Sequence, residues 1–418
     1  MASIIEESWL KSATELGDSL TRKTLKEWQI KNIGRQIEYA RSNSKFYKEK
    51  FADFPNLADL DITTFEKLPF TTQPEVALRA NEFLCIPTKN VERIAQVLTS
   101  GTGGTPKKLY FSAADIASTQ LYFSTGMNFL VKKGDKTVIY FPGVGQNGVS
   151  DVLRKAVNDL GCQAVLANGI YDIEKAIKDG EGAQCYCGMP IQLYRLCKKA
   201  PYLRPKSVLL SADYIPQIVI KKMREIWGCD IYPHYGMTEM GMGFAVDCPH
   251  HNGMHLRHAD IYIEIINSKT GKVLPAGETG EIVFTTIRRE AMPLIRYRTG
   301  DVGRMVKMEK CGCGNTVPML EAVYGRNRDN VLTDGVNGFG VHILEEILFE
   351  NDDICDFIVR RTDNGIQIEL EVLNPVNCHE IADMLNKKFP QQGEFTVVIP
   401  QQFVSYRGKR RIENEKYF

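Results

Sequence analysis

The 418-residue sequence predicts an α/β protein. A large N-terminal domain of mainly parallel sheets flanked by helices, with a small antiparallel β unit, is followed by a small α+β C-terminal domain. Three observations lead there. Short apolar runs recur between 136 and 236, most of them separated by stretches long enough for a βαβ crossover. Past 255 the runs alternate polar and apolar residues and are joined by tight turns, as antiparallel strands are. Past 326 helical and strand patterns alternate within a short length.

Residues 1 to about 90 read as helical: Leu25, Trp28, Ile33, Ile37 and Ala40 form one stripe, and a second helix is expected around Glu75 to Phe83. The strands of the parallel region are expected in 136–143, 163–169, 183–188, 207–213 and 229–236. ADIYIEIIN (259–267) and GEIVFTTI (280–287), joined by a KTGK turn, read as antiparallel strands with one face toward water. In the C-terminal part, 341–350 and 379–389 read as helices, and 395–399 as a strand. Two strands flank Asn364-Gly365, the strongest short hairpin signal.

Composition excludes several classes. Hydrophobic residues make up 43% and charged residues 25%, the balance of a globular chain with a sizeable core. Lys+Arg (52) nearly cancels Asp+Glu (51), which argues against a nucleic-acid binder that relies on bulk charge. No apolar run suggests a membrane helix, and the N-terminus does not read as a secretory signal. Eleven cysteines, an odd number scattered along a long chain, do not form a small disulfide scaffold. A reduced, cytoplasmic, enzyme-sized protein is expected.

The most informative segment is Leu98 to Lys108, a loop rich in glycine and hydroxyls that ends in two lysines. Glycines let backbone N–H groups approach phosphate oxygens, hydroxyls add donors and lysine adds charge. It is not the GxxxxGK[ST] P-loop, because Pro106 stands in the way. The order Thr-Ser-Gly-Thr-x-Gly-x-Pro-Lys resembles the signature loop of the adenylate-forming superfamily, which contains acyl- and aryl-CoA ligases, firefly luciferase and the adenylation domains of peptide synthetases. Further resemblances follow in the family's order: Ser211-Ala212-Asp213, His234-Tyr235-Gly236-Met237-Thr238-Glu239, Tyr297-Arg298-Thr299-Gly300-Asp301, Gly325-Arg326-Asn327-Arg328-Asp329, and Gly408-Lys409 with Arg411. The segments 44–47, 66–72, 284–286 and 292–297 narrow the resemblance to the phenylacetate–coenzyme A ligase family, weakest over 110–200.

The resemblance implies a division into residues 1–326, binding ATP and acid, and a mobile lid, 327–418, carrying the catalytic lysine. Ser100, Gly101, Thr102, Gly103, Gly104 and Lys107 would hold the β- and γ-phosphates, and Thr238 would meet the α-phosphate. Ser211, Ala212, Asp213, His234, Tyr235, Gly236, Met237 and Arg326 complete the nucleotide site. Tyr235 would stack on adenine, and Asp301 would accept from both ribose hydroxyls. Glu239 would bind Mg²⁺, a hard cation suited to carboxylate oxygen. Lys409 would bring a mobile charge to the carboxylate and α-phosphate, although on composition its basic run, Arg407 to Arg411, reads as a solvated tail. Tyr140, Phe141 and Gly143, with Tyr235, Gly236 and Gly241, are expected to line the acid pocket. Two departures stand out. Gly103 replaces a threonine of the loop's usual core, and Arg328 with Asp329 leaves two candidates for the hinge pivot.

Cys311-Gly-Cys313 and Cys248-x₆-His255 have the donor types of a Cys₃His zinc site. Some members of the resembled family carry the same elements; His250 is the alternative to His255. Cys185 and Cys187 share one strand face and read as core. The expected activity is ligation of an aryl or arylacetic acid to coenzyme A through an acyl-adenylate, by a monomer or homodimer. An adenylate-forming enzyme with another acceptor, a carrier-protein thiol or a deazaflavin coenzyme, is the alternative, and a non-catalytic nucleotide-binding relative the remaining one.

Overall fold

The computed structural model describes residues 9–54, 57–97, 106–143, 145–326, 339–406 and 408–414. The strands are β1 (Arg93–Val97), β2 (Lys107–Phe111), β3 (Lys136–Ile139), β4 (Gln163–Leu166), β5 (Cys185–Gly188), β6 (Ser207–Leu210), β7 (Asp230–Tyr235), β8 (Ala245–Val246), β9 (Met254–Leu256), β10 (Ile261–Ile266), β11 (Thr279–Thr286), β12 (Tyr297–Met305), β13 (Met319–Arg326), β14 (Ile354–Arg361), β15 (Gly365–Val372), β16 (Glu394–Val398) and β17 (Glu413–Asn414). Contacts divide the chain into two units. One comprises Met1–Phe129, Gln146–Leu160 and His234–Asn327; the other comprises Leu130–Gly145, Gly161–Pro233 and Arg328–Phe418.

The first unit begins with the helix Arg22–Asn43, which starts where Thr21 and Thr24 exchange side-chain-to-backbone hydrogen bonds in a capping box. Its expected stripe is buried at Leu25, Ile33, Ile37 and Ala40, with Trp28 half-buried. Phe46, Tyr47, Phe51 and Phe83 then pack ring on ring. Strands run β10-β11-β12-β13-β9-β8 to the end of β7, every pair antiparallel.

The expectation of a water-facing side is not met. Every residue of β11 after Thr279 is buried. The N-terminal segment covers that face: Phe65 packs edge-on to Tyr262, and Thr71 bridges to Tyr297. Arg296 anchors the cover, donating to the carbonyls of Glu66 and Leu68 at 2.6 Å while its Nη2 pairs with Glu264 at 2.8 Å. Three acceptors around one buried guanidinium satisfy a charge that burial alone would make very costly.

In the second unit the parallel strands run β4-β3-β5-β6-β7, as the spacing of the apolar runs predicts. In β7, Asp230 to Pro233 pair with β6, and His234 and Tyr235 pair with β8. Helices Ile173–Gly180, Pro190–Lys199 and Gln217–Trp227 follow β4, β5 and β6. Cys185 and Cys187 are fully buried core residues. The C-terminal residues form a sheet in the order β16-β15-β14-β17 with helices Val341–Leu348 and Cys378–Lys388; the hairpin turns at Asn364-Gly365 as expected. One apolar core runs from Val138, Tyr186 and Trp227 to Leu344, Phe349 and Phe357. Arg195 grips Glu371 through two hydrogen bonds of 2.6 and 3.0 Å at its edge. Among the described residues no helix is long and apolar enough to cross a membrane.

Candidate functional site

The glycine-rich segment joins two paired strands. Val97 and Lys107 face each other in the β1–β2 ladder, so the backbone closes the ends of the loop on one another. Ser100, Gly101, Thr102, Gly103 and Gly104 lie outside the described residues. Lys107 points inward, its side chain only 5% exposed, onto Glu239, which is 2% exposed. Its ammonium pairs with Glu239 Oε1 and also donates to Tyr297 Oη at 3.1 Å, while Tyr297 Oη donates to the same Oε1 at 3.2 Å. Among the described residues, both bonds to the carboxylate fall on Oε1. Tyr297 joins the site although the sequence marks it only as the first residue of the Tyr-Arg-Thr-Gly-Asp segment.

Beyond β7 the chain makes a tight turn. Gly236 lies so close to Gly243 Cα and Met242 O, 2.9 Å from where a Cβ would stand, that only glycine fits. Met237 precedes the short 3₁₀ turn Thr238–Met240, which Gly241 ends at φ +78. Thr238 is half-buried beside the buried Glu239. Tyr235 Oη donates to Asp301 Oδ2 at 2.8 Å, which joins two segments 66 residues apart. Asp301 stands opposite Arg326 on β13, and its N–H is held by Thr299 Oγ1 at 2.9 Å. His234 packs edge-on to Phe123, and burial pushes its imidazole down to about 4.

The remaining expected residues lie in the second unit. Ser211 and Asp213 flank Ala212, a non-glycine residue at φ +74. Asp213 accepts from the backbone N–H of Arg410 at 2.8 Å and of Tyr214 at 3.0 Å. Burial raises its carboxyl, against the opposing pull of those bonds and of the Lys409 charge. Lys409 itself is exposed. Gly143 sits at φ +85 with its N–H bound by Asn168 Oδ1 at 2.9 Å. Tyr140 and Phe141 are buried, and Tyr140 spends its hydroxyl on the Ala176 carbonyl at 2.8 Å. Arg328 and Asp329 lie outside the described residues.

Cys248, His255, Cys311 and Cys313 come together, with their ligand atoms all within 4.8 Å of one another; His255 rather than His250 completes the group. Cys248 follows β8, His255 lies on β9 opposite Met319 of β13, and Cys311 begins a turn closed by its N–H to the Asn315 carbonyl. The Cys248 and Cys311 sulfurs are 3.6 Å apart, and Cys313 Sγ lies 3.5 Å from His255 Nε2. A tetrahedral zinc with bonds of about 2.3 Å to sulfur separates its sulfurs by roughly 3.7 Å, so the donors fit. Hydrogen bonding between their thiols pulls Cys313 down to about 3 and pushes Cys248 well up. That is the asymmetry expected when several acidic protons share one small space.

The profile of the family described as AMP-binding enzyme matches residues 59–288. Phenylacetate–coenzyme A ligase of Pseudomonas putida is 26% identical over 378 residues, covering 85% of this chain and 83% of its own. The protein of the same name from Escherichia coli (strain K12) is 27% identical over 347 residues, covering 78% and 76%. Among solved structures, 2-hydroxyisobutyryl-CoA ligase in its postadenylation state superposes with a TM-score of 0.79 at 17% identity, over 93% of this chain and 89% of that one. That likeness is one of fold. The motif side chains gathered around Glu239 and Asp301, the matched profile and the similarity along most of the chain lead to one conclusion: this protein belongs to the AMP-binding enzyme family, adenylate-forming enzymes, close to the phenylacetate–coenzyme A ligases.

Proposed function

We propose that the protein is an ATP-dependent, AMP-forming carboxylate–coenzyme A ligase whose acid is aryl or arylacetic. A carboxylate oxygen attacks the α-phosphorus of ATP and pyrophosphate leaves. The sulfur of coenzyme A then attacks the acyl carbon, AMP leaves with the C–O electron pair, and the thiol proton passes to solvent. Positioning and charge masking supply most of the catalysis of such a transfer. The observation that carries the reading is the convergence, in one unit, of the Tyr235–Asp301 pair with Glu239 and Lys107. Relatives named phenylacetate–coenzyme A ligase support the choice of acid class.

In this reading Tyr235 faces adenine, Asp301 the ribose hydroxyls and Thr238 the α-phosphate, while the loop 100–104 and Lys107 take the terminal phosphates. Glu239 would bind a magnesium ion, a hard cation suited to carboxylate oxygen, and among the described residues its two hydrogen bonds both fall on Oε1; the cation would mask triphosphate charge. Residues 1–326 bind ATP and acid, and 327–418, hinged near Arg328 and Asp329, carry Lys409 in and out of the site. Cys248, His255, Cys311 and Cys313 would hold a structural zinc that leaves no open position for substrate. All eleven cysteines stand outside disulfides, which suits a reducing, cytoplasmic setting.

The test is pyrophosphate release across a panel of aryl, arylacetic and aliphatic acids, with and without coenzyme A. Acid-dependent release together with a thioester product is expected. Release without thioester would move the acceptor to a carrier thiol or another coenzyme, and no release with any acid would sink the reading.

A further inference from the structure

The residue that follows Lys409 is buried among carboxylates. Arg410 has a side chain only 4% exposed, beside Glu345 at 2% and Asp356 at 1%. Its Nη1 pairs with Asp356 Oδ1, and its Nη2 donates to the Phe357 carbonyl at 2.7 Å. The guanidinium lies 4.3 Å above the Phe357 ring and 5.0 Å from that of Tyr406. Nε comes within 2.7 Å of Glu345 Oε1, but among the described residues it makes no aligned hydrogen bond, and neither does Glu345 Oε2. Burial, reinforced by Asp213 and Asp356, pushes Glu345 up to about 8 against the opposing pull of Arg410.

Among the described residues the groups packed on the Arg410 guanidinium, Glu345, Asp356, Phe357 and Tyr406, belong to residues 345–406, whereas its backbone N–H leaves that group and donates to Asp213 Oδ2 at 2.8 Å. Asp213 ends the turn in which Ala212 holds φ +74, so the acceptor stands on a tightly set piece of backbone. Lys409, exposed and next in the chain, has Gly408 on its other side. Lys409 thus stands between a glycine and an arginine whose Nη1 and Nη2 are both bonded.

We propose that Arg410 is the positioning residue for Lys409: its guanidinium fastens the lysine segment to the C-terminal sheet, and its N–H fastens the segment to the Asp213 turn for adenylation. Breaking that second bond is then part of the change to thioester formation. The inference rests on the ligase reading and on the role given there to Lys409.

The experiment compares the two half-reactions: acid-dependent pyrophosphate exchange, and thioester formation from presynthesised acyl-adenylate. Arg410→Gln is expected to slow adenylation by about tenfold to a hundredfold, the scale of a misplaced catalytic group, and to spare the thioester step. Because Arg410 acts through Lys409, the Lys409→Ala/Arg410→Gln double variant should adenylate no more slowly than Lys409→Ala alone. Losses that multiply, or an equal fall in both half-reactions, overturn the proposal. Should Arg410→Gln fail to fold, Arg410→Lys carries the same test, since it keeps a cation between the two carboxylates but loses the planar fork that reaches Phe357. Normal adenylation by folded Arg410→Lys would also overturn it. A wild-type enzyme that adenylates no acid would count against the ligase reading instead, so the two failures are distinguishable.

Discussion

At the residue scale, the least legible feature is the partner of Lys107. Its place after the glycine-rich loop points to phosphate, yet its ammonium rests on Glu239, 132 positions away, with Tyr297 closing the triangle from 190 positions away. No local pattern carries that information, because the three meet only through strand pairing. Removing one partner of a buried ion pair strands the other charge, so Lys107→Met should destabilise the fold by about 3–5 kcal/mol. Lys107→Met/Glu239→Gln should recover much of that loss in a denaturant titration. A double variant no more stable than the single would show that the pair is not coupled. Tyr297→Phe removes one donor from Glu239, and a higher magnesium requirement for adenylation with an unchanged KM for the acid is the expected outcome.

At the element scale, the parallel strands were legible because short apolar runs separated by helical lengths admit few other arrangements. The solvated face expected of the antiparallel strands was not found. Alternation in 259–267 describes one strand, but the cover comes from residues 65–71 through Arg296, a contact across more than two hundred positions. The cysteine cluster shows the reverse. Donor types and spacing pointed to Cys248, His255, Cys311 and Cys313, and the pairing of β9 with β8 and β13 decided between His255 and His250. Protein purified without added zinc should contain about one zinc per chain, lost in Cys311→Ser/Cys313→Ser together with several degrees of thermal stability. Asn315 sharpens the test. Its Oδ1 accepts from Val317 N–H at 2.9 Å while its Nδ2 faces His255 Nδ1 at 2.8 Å. A metal on Nε2 needs the proton on Nδ1, so the Asn315 amide must turn on binding. Metal-free wild type of full stability would return the four residues to an ordinary core.

At the scale of the whole molecule, buried titratable groups set the pH response. His234 and His258 fall from 6.5 to about 4 on burial, so the unfolded chain binds more protons between those values and stability is lost as pH falls through that window. Glu345 rises from 4.5 to about 8, so the folded chain binds the extra proton and stability declines as pH rises through that window. The Glu345 contribution is isolated by comparing variants: between pH 6.5 and 8, Glu345→Gln should lose less thermal stability with rising pH than the wild type, and an unchanged slope would remove Glu345 from that role. Lys409→Ala should suppress adenylation a hundredfold or more, the effect of losing a preorganised donor at about 2.7–4 kcal/mol, and spare thioester formation from acyl-adenylate. Equal loss in both steps would count against two lid orientations. By itself the sequence determined the α/β class, the order of the motifs and the members of the cysteine–histidine cluster, since each is written in local periodicity or in residue type. Only the tertiary structure decided that Lys107 is held by Glu239, that Arg410 is buried between Glu345 and Asp356, and that the antiparallel strands are covered. Those outcomes depend on which distant residues share a low-dielectric space, and burial there makes each charge choose a partner that no neighbouring residue foretells.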